Sequence, residues 1–332
     1  MPLNRSRRRR RNTERSDFRR AAEILIALAL LAVLAASVAP FFHAALPILG
    51  LFQHFAAQLA TAALVGLIAT LVTRMWGWAV LAVVLTAWHA VTLYPFLPIG
   101  GEPAVAETAP PLKVMSLNLW YKNPDQDDTI RALLESGADV IGTVETTAEW
   151  KEGLKALEPV YPYHVDCVRM VFRCGVAIYS KIPFKESFAD RIDGKLPTIV
   201  TATIDWQGTP LTVAELQLIN PLIDFYADED LQAQQAAVAT AYFAKLPGDL
   251  VVMGDFNSSP WSNLQNGFRA ATGLDNRGRL AFTWPSWAPA VFRLPIDQIF
   301  VKGGIVARNV RPGASEGSDH LPIEGEIYRV VP

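Results

Sequence analysis

VVMGDFNSSP, residues 251–260, joins an apolar run to a polar turn. The β-rich run predicts a buried strand, and the Ser-Ser-Pro sequence after it predicts a turn. Because alternate residues of a strand share one face, we expect Asp255 and Asn257 to direct their side chains to the same point. Asp-x-Asn is also common in ordinary turns, so this stretch alone leaves a structural and a functional interpretation open.

A second polar turn, SDHLPI at residues 318–323, also adjoins an apolar strand. The carboxylate of Asp319 can orient the imidazole of His320, or it can bind a metal ion and leave the histidine free. His320 is one of only two histidines outside the apolar N-terminal region. We therefore treat both residues as candidates for a functional site.

Three further polar residues stand at the ends of predicted strands. Asn118 lies near the end of one strand, Glu145 directly follows a second, and Asp297 directly precedes a third. Each of them alone could cap a strand. Five polar strand ends in one domain are difficult to attribute to capping, so we interpret them as one candidate site.

The region 112–332 alternates short β-rich segments with helical patterns. The mixture predicts an α/β domain with too many strands for a simple parallel sheet. Predicted strands cover residues 113–119, 140–144, 175–179, 199–205, 211–218, 250–253, 298–301 and 323–331, and predicted helices cover 127–136, 147–157 and 228–244.

The region 21–97 is almost free of charge, with Glu23 and Arg74 as its only acidic or basic residues. It contains three apolar runs, and each approaches or exceeds the roughly 20 residues that a helix needs to cross a membrane. Proline and Arg74 stand at the breaks between the runs. We therefore predict three transmembrane helices, at about 21–39, 48–72 and 75–97. A signal peptide is the alternative for the first run, and the two runs that follow it disfavour that alternative.

Charge divides the chain into a basic start and an acidic remainder. Residues 1–20 hold nine Arg against Glu14 and Asp17, a net charge of nine minus two, or +7. Because basic segments stay on the cytoplasmic side, this region predicts a cytoplasmic N-terminus. Three crossings then place the part after residue 100 outside the cytoplasmic (inner) membrane.

Residues 101–332 carry 20 Lys and Arg and 29 Asp and Glu, a net charge of −9. An acidic domain gains nothing from counterion release on a polyanion, so nucleic acid is not a favoured partner, although a nuclease stays among the alternatives. Gly, Pro, Ala and Glu in 98–111 predict an extended linker before the domain at 112–332. Cys167 and Cys174 are the only cysteines and form either a disulfide or two separate thiols.

Taken together, these segments resemble the endonuclease/exonuclease/phosphatase superfamily, which includes DNase I-like nucleases and sphingomyelinases. Five blocks occur in the family's order, and the layout resembles membrane-anchored bacterial members. The resemblance covers 112–332 and implies a four-layer α/β/β/α sandwich with its site at one edge of two packed sheets. The blocks are SLNLW (116–120), DVIGTVE (139–145), GDFN (254–257), IDQIF (296–300) and SDH (318–320).

The resemblance also implies a role for each candidate residue. Glu145 would bind Mg²⁺ or Mn²⁺, with Asn118 and Asp319 completing an oxygen-rich shell of the kind that hard cations prefer. The expected catalytic residues are Asp255 to activate water, Asn257 to bind a phosphoryl oxygen, and His320, held by Asp297, to stabilise the transition state.

Gln217 departs from the family pattern. Most members carry a Thr-His-Leu block on this strand, and here the strand reads VAELQL at 213–218, with Gln217 at the position of the histidine. Glutamine can hydrogen-bond a leaving-group oxygen but cannot donate a proton as an imidazolium does. A substrate with a good leaving group would depend least on the missing histidine.

Four other residues deserve comparison with the candidates. His164 is either an ordinary loop residue or a substitute for the missing histidine. Trp261, Trp284 and Trp287 lie near the expected site mouth in sequence, where they either pack in the domain or contact a lipid or a base.

The sequence thus predicts a membrane-anchored, metal-dependent phosphoesterase that acts outside the cytoplasmic membrane. Its expected partner is a phosphate-ester substrate, a class that includes lipid-linked phosphates. The alternatives are a module that binds or senses a phosphate ligand with little turnover, and a nuclease. A transport role for the helices is disfavoured because no charged residue lies deep within them.

Overall fold

The chain folds into two units, Met1–Tyr94 and Pro95–Pro332, and each has its own hydrophobic core. The computed structural model describes residues 3–99, 103–105, 109–167, 175–191, 198–222 and 230–331. Cys174 lies outside these residues, so the structure does not choose between a Cys167–Cys174 disulfide and two separate thiols.

Three long helices form the first unit: α1 (Leu3–Val38), α2 (Ala56–Thr73) and α3 (Trp76–Leu93). Short 3₁₀ helices follow α1, precede α2 and follow α3, at Ala39–Phe42, Pro47–Phe55 and Tyr94–Phe96. Three segments are long and apolar enough to cross a membrane, as expected from the sequence: Ser16–Phe42, Pro47–Thr73 and Trp76–Phe96.

Small residues let these helices pack closely. Ala63 and Ala82 are fully buried between larger apolar side chains such as Leu30 and Leu85. The Ser37 hydroxyl of α1 and His89 Nε2 of α3 lie 2.8 Å apart and share a hydrogen bond. This hydrogen bond connects α1 to α3.

Two mixed β-sheets form the centre of the second unit. The six-stranded sheet has the order β10-β11-β1-β2-β4-β3, and the five-stranded sheet has the order β5-β6-β7-β8-β9. The strands are β1 (Leu112–Asn118), β2 (Val140–Val144), β3 (Tyr163–Cys167), β4 (Val176–Ser180), β5 (Phe184–Arg191), β6 (Thr198–Trp206), β7 (Thr209–Gln217), β8 (Asp249–Asp255), β9 (Asp297–Lys302), β10 (Ile305–Pro312) and β11 (Ile323–Arg329).

Among the described residues, four helices cover the outer faces of the sheets. On the six-stranded sheet, α4 (Gln126–Glu135) and α5 (Ala148–Gly153) pack through a buried cluster that includes Leu133 and Trp150. On the five-stranded sheet, α6 (Leu231–Phe243) and α7 (Asn263–Thr272) pack through a cluster that includes Phe243 and Phe268. A third cluster fills the space between the sheets. The predicted four-layer α/β/β/α sandwich is thereby confirmed.

The strands that the sequence did not reveal are all edge strands. β3 and β10 border the six-stranded sheet, and β5 borders the five-stranded sheet. Edge strands carry charges and irregular pairing that protect them from unwanted association. FKESFADR in β5 and the register shift between Arg308 and Arg311 in β10 show both devices and mask the apolar pattern. Helix α7, with Ser262 as its N-cap, was also missed.

Part of the predicted linker is bound to the second unit. Val105 pairs with Val330, and the Val331 backbone amide donates to the Ala104 carbonyl at 2.9 Å. Phe96 is buried, and its ring centroid lies 6.1 Å from that of Trp261. The chain therefore packs on this unit well before β1 begins at Leu112.

A carboxyl group bridges the two sheets beneath the candidate site. Glu215 on β7 is fully buried, and its Oε1 accepts a hydrogen bond from the Ser116 hydroxyl of β1. Its Oε2 fills the space beside Gly142 of β2, where an added Cβ would come within 1.8 Å. Burial raises the pKa of Glu215 well above its usual value, and the charges of Asp297 and Asp255 raise it further. Burial therefore favours the protonated, neutral form of Glu215 in the folded protein.

We expect Glu215→Gln to remove a pH dependence of stability. The pKa of Glu215 is higher in the folded than in the unfolded chain, so its contribution is complete below its usual value of 4.5 and is lost as the pH rises. The unfolding free energy of wild type minus that of E215Q should fall as the pH rises above about 4.5, in denaturant titrations of residues 95–332. Exposed Glu149→Gln is the control, and parallel curves for wild type and E215Q would contradict the prediction.

Candidate active site

The candidate residues lie at one edge of the two sheets because parallel strands end there together. β1 and β2 run parallel, and Asn118 pairs with Val144, the residue before Glu145. β7 and β8 also run parallel, and Gln217 pairs with Asp255. Asp255 pairs in turn with Asp297, the first residue of antiparallel β9. Gln217, Asp255 and Asp297 thus form one row across the five-stranded sheet.

Asn118 connects the two sheets at this edge. Its Nδ2 donates to Glu145 Oε1 and to Asp255 Oδ2, in each case at 3.1 Å. Its Oδ1 accepts from the Trp120 backbone amide at 2.9 Å. Asn118 therefore meets both carboxylates as a donor, and its predicted role as an oxygen ligand of a metal requires the amide to turn.

Glu145 is held by three donors. Its Oε1 accepts from Asn118 and from Gln217 Nε2 at 3.1 Å, and its Oε2 accepts from the Tyr121 backbone amide at 3.0 Å. Its φ of +57° lies in the left-handed region, which is uncommon for residues other than glycine. Backbone strain of this kind occurs where surrounding contacts fix a side chain, often at functional sites. Gln217 thus contacts Glu145 directly.

Asn257 fixes the carboxylate of Asp255. The Asn257 backbone amide donates to Asp255 Oδ1 at 2.8 Å, and its Nδ2 donates to Asp255 Oδ2 at 3.0 Å. The same Nδ2 also donates to the Leu218 carbonyl at 2.9 Å. Asn257, like Glu145, adopts a positive φ, here +46°. The turn after β8 therefore curls back so that it orients Asp255.

His320 and Asp297 form a buried pair. His320 Nδ1 lies 2.9 Å from Asp297 Oδ2, which also accepts from the Thr283 hydroxyl. His320 Nε2 faces Asp255 Oδ2 at 3.9 Å. The Ser318 hydroxyl donates to the Asn118 carbonyl at 2.6 Å, so it ties the His320 turn to β1. No sequence pattern had indicated Thr283 as a site residue.

Burial and charge set the proton affinities of this pair. Burial alone would lower the pKa of His320, but the charges of Asp297, Asp255 and Asp319 outweigh that effect and raise it. Burial also raises the pKa of Asp255, although the charge of His320 opposes the rise. A protonated imidazole therefore faces a carboxylate that is more basic than usual. Such a pair can stabilise negative charge and accept a proton.

The carboxylates fit a divalent cation. Asp319 Oδ1 is buried and has no hydrogen-bond partner among the residues described, and burial raises the pKa of Asp319. The negative charge of Glu145 raises the pKa of Asp319 further, so the two carboxylates repel each other. A buried, unpartnered carboxylate oxygen is costly without a cation or donor. Asp255, Asp297 and His320 form a second group whose ligand atoms lie within 4.8 Å of one another.

The remaining candidates lie in different settings. His164 is exposed on β3 and stacks on Tyr179, and no described hydrogen bond links it to the site residues. Trp261 is buried against Phe96. Trp284 donates from Nε1 to Asp319 Oδ2 at 3.4 Å, whereas Trp287 is exposed.

Known proteins share this arrangement of strands. A family model described as the endonuclease/exonuclease/phosphatase family matches residues 115–320. A comparison with curated protein sequences finds no significant match.

Three solved structures illustrate the likeness of fold. They are TDP2 of D. rerio with a single-strand DNA product (16% identity, 65% of this chain and 98% of that one, TM-score 0.52), a beta toxin mutant of Staphylococcus aureus with bound magnesium ions (16%, 65% and 99%, TM-score 0.53) and sphingomyelinase C of Streptomyces griseocarneus (16%, 66% and 99%, TM-score 0.51).

Proposed function

Because this chain belongs to the endonuclease/exonuclease/phosphatase family, we propose that it is a membrane-anchored, metal-dependent phosphoesterase. The observation that carries the proposal is the hydrogen-bonded group at the sheet edge, in which Asn118 joins Glu145 to Asp255 and Asp297 holds His320. This group combines a cation-binding carboxylate, a basic carboxylate and a buried imidazolium. Hydrolysis of a phosphate ester needs these three functions.

Each residue has a defined task in this mechanism. Glu145 and Asp319, with Asn118, would hold Mg²⁺ or Mn²⁺, and the bound cation would supply Lewis-acid stabilisation of the phosphoryl group. Asp255 orients the attacking water and accepts its proton. His320, held by Asp297, donates a hydrogen bond to the phosphoryl oxygen as negative charge develops.

Asn257 supports this step through Asp255. Its Nδ2 already donates to Asp255 and to the Leu218 carbonyl, so a bond to a phosphoryl oxygen would replace one of these. The sequence alone does not distinguish a residue that orients Asp255 from one that binds a phosphoryl oxygen.

The choice of substrate follows from the anchor and the charge. Among structures of similar fold, sphingomyelinase C is named for a lipid and TDP2 is crystallised with single-strand DNA. The net charge of −9 in residues 101–332 repels a polyanion, and the apolar helices keep the domain beside a bilayer. We therefore favour a lipid-linked phosphate ester as substrate over nucleic acid.

Hydrolysis should depend on both a divalent cation and Asp255. Residues 95–332 should hydrolyse model phosphodiesters or phospholipids with Mg²⁺ or Mn²⁺ and should lose this activity with EDTA. The rate should fall at least about 100-fold in D255N, which removes the base, and in His320→Ala, which removes the group that stabilises charge. Initial rates on phosphodiester, phospholipid and DNA substrates measure these effects.

Exposed Glu149→Gln should keep the wild-type rate. Equal rates in wild type, D255N and the His320 variant would overturn the proposal. Thermal stabilisation by Mn²⁺ without turnover of any substrate would instead support the alternative, a module that binds or senses a phosphate ligand.

Gln217 should make the rate depend on the leaving group. Because Gln217 cannot donate a proton as an imidazolium does, Gln217→His should raise turnover of alkyl esters relative to para-nitrophenyl esters by at least about tenfold. The measurement is kcat/KM for matched alkyl and aryl substrates in both proteins. An unchanged ratio would show that position 217 does not serve the leaving group.

We further propose that the second unit lies outside the cytoplasmic membrane. The net charge of +7 before the first span supports this orientation, together with the count of three spans. Alkaline phosphatase fused after residue 100 should be active, and green fluorescent protein fused at the same point should not fluoresce after export by the general secretory route. The reverse result would place the domain in the cytoplasm.

A further inference from the structure

An exposed apolar loop adjoins the candidate active site. The loop connects Trp284 to Leu294, and its outermost residues are Trp287, Val291 and Phe292, which are 81%, 70% and 65% exposed. They are the three most exposed large apolar side chains among the described residues of Pro95–Pro332. Single exposed apolar residues are ordinary, but a cluster of them marks an interaction surface.

The loop is a braced structure. Trp284 and Leu294 close its base, with the Trp284 backbone amide donating to the Leu294 carbonyl at 3.2 Å. Arg293 spans its interior, where Nε donates to the Ala288 carbonyl and Nη2 to the Ser286 carbonyl, both at 2.8 Å. The apolar tip is therefore held outward by internal hydrogen bonds.

The same loop is hydrogen-bonded to the turn that carries Asp319 and His320. The Ser286 backbone amide donates to the Asp319 carbonyl at 2.8 Å, and the Ser286 hydroxyl donates to the Ser318 carbonyl at 2.6 Å. Trp284 Nε1 donates to the Asp319 carboxylate. The base of the loop is thus attached to the turn that carries Asp319 and His320.

Two observations favour a lipid surface as the occupant. Residues 287–292 read WAPAVF, and such an uncharged segment with Trp and Phe suits the interface of a bilayer. The unit that carries the loop begins at Pro95, within the membrane-length segment Trp76–Phe96, so the same chain supplies helices that are long and apolar enough to cross a bilayer.

We propose that the loop 285–293 inserts its apolar tip into the bilayer that holds the helices and presents the active site to phosphate esters of membrane lipids. The insertion is hydrophobic, because the net charge of −9 in residues 101–332 opposes electrostatic attraction to anionic lipids. The choice of lipid esters as substrate rests on the proposed function, whereas the insertion stands independently of it.

The insertion is tested on the full chain in phosphatidylcholine nanodiscs. A fluorophore is attached at Val291→Cys in a Cys167→Ser, Cys174→Ser background, and nitroxide-labelled lipids serve as quenchers. Val160→Cys, at a position that is 42% exposed, carries the same fluorophore as the control. We expect at least about threefold stronger quenching at position 291 than at position 160, also in high salt. Equal quenching at the two positions would overturn the insertion.

The effect on substrate choice is measured in the same discs. A fluorescent phospholipid in the disc and bis(para-nitrophenyl) phosphate in solution are the two substrates. The double variant Trp287→Ser, Phe292→Ser should lower the ratio of lipid to soluble turnover at least about tenfold, because two large apolar side chains no longer enter the bilayer. The matched control, Val160→Ser with Val331→Ser, should keep the wild-type ratio.

The outcomes separate the two proposals. Strong quenching at position 291 without turnover of either substrate contradicts the proposed function alone. Turnover of both substrates with an unchanged ratio in the loop variant contradicts presentation of the site to lipids. Energy transfer between labels on two chains, without quenching by lipid, would identify a second copy of the chain as the occupant and overturn the insertion.

Discussion

The candidate site depends on the two hydrogen bonds that the side-chain amide of Asn118 donates. It donates to Glu145, which follows a strand of the six-stranded sheet, and to Asp255, which ends a strand of the five-stranded sheet. Two carboxylates that share one amide donor lie close enough to repel each other, and a donor or a cation between them reduces that repulsion. The amide therefore holds together what electrostatics would separate. The packing of the two sheets determines whether the amide can reach both.

Below this amide, the next layer uses a second polar contact between the sheets. Ser116 stands two residues before Asn118 on β1, and Glu215 stands two residues before Gln217 on β7. Ser116 and Glu215 connect these two strands directly in the core, whereas Asn118 and Gln217 at the sheet edge both donate to Glu145 Oε1. A neutral Glu215 suits the apolar layer, and Gly142 leaves the room that its carboxyl group needs. The Ser116–Glu215 hydrogen bond therefore holds the two sheets in a defined alignment directly below the candidate site.

The strands and residues with strong local signals could be predicted from the sequence. Buried strands such as β8 were apparent because apolar runs end in turn residues, and the polar residues at their ends marked one edge of the sheets. Edge strands such as β5 escaped because their charges hide the alternation of apolar residues. Thr283 and Glu215 escaped for another reason, since their partners are distant in sequence and only the packing of the two sheets brings them together. The donor role of the Asn118 amide likewise depends on which atoms surround it.

The pairing of Val105 with Val330 has a consequence for the ends of the second unit. β1 runs from this pairing toward Asn118, and its seven residues span about 20 Å at the usual rise of a strand. The chain therefore leaves the sandwich at the edge opposite the candidate site. A protein joined to the C-terminus would lie at that far edge and would leave the candidate site and the apolar loop accessible.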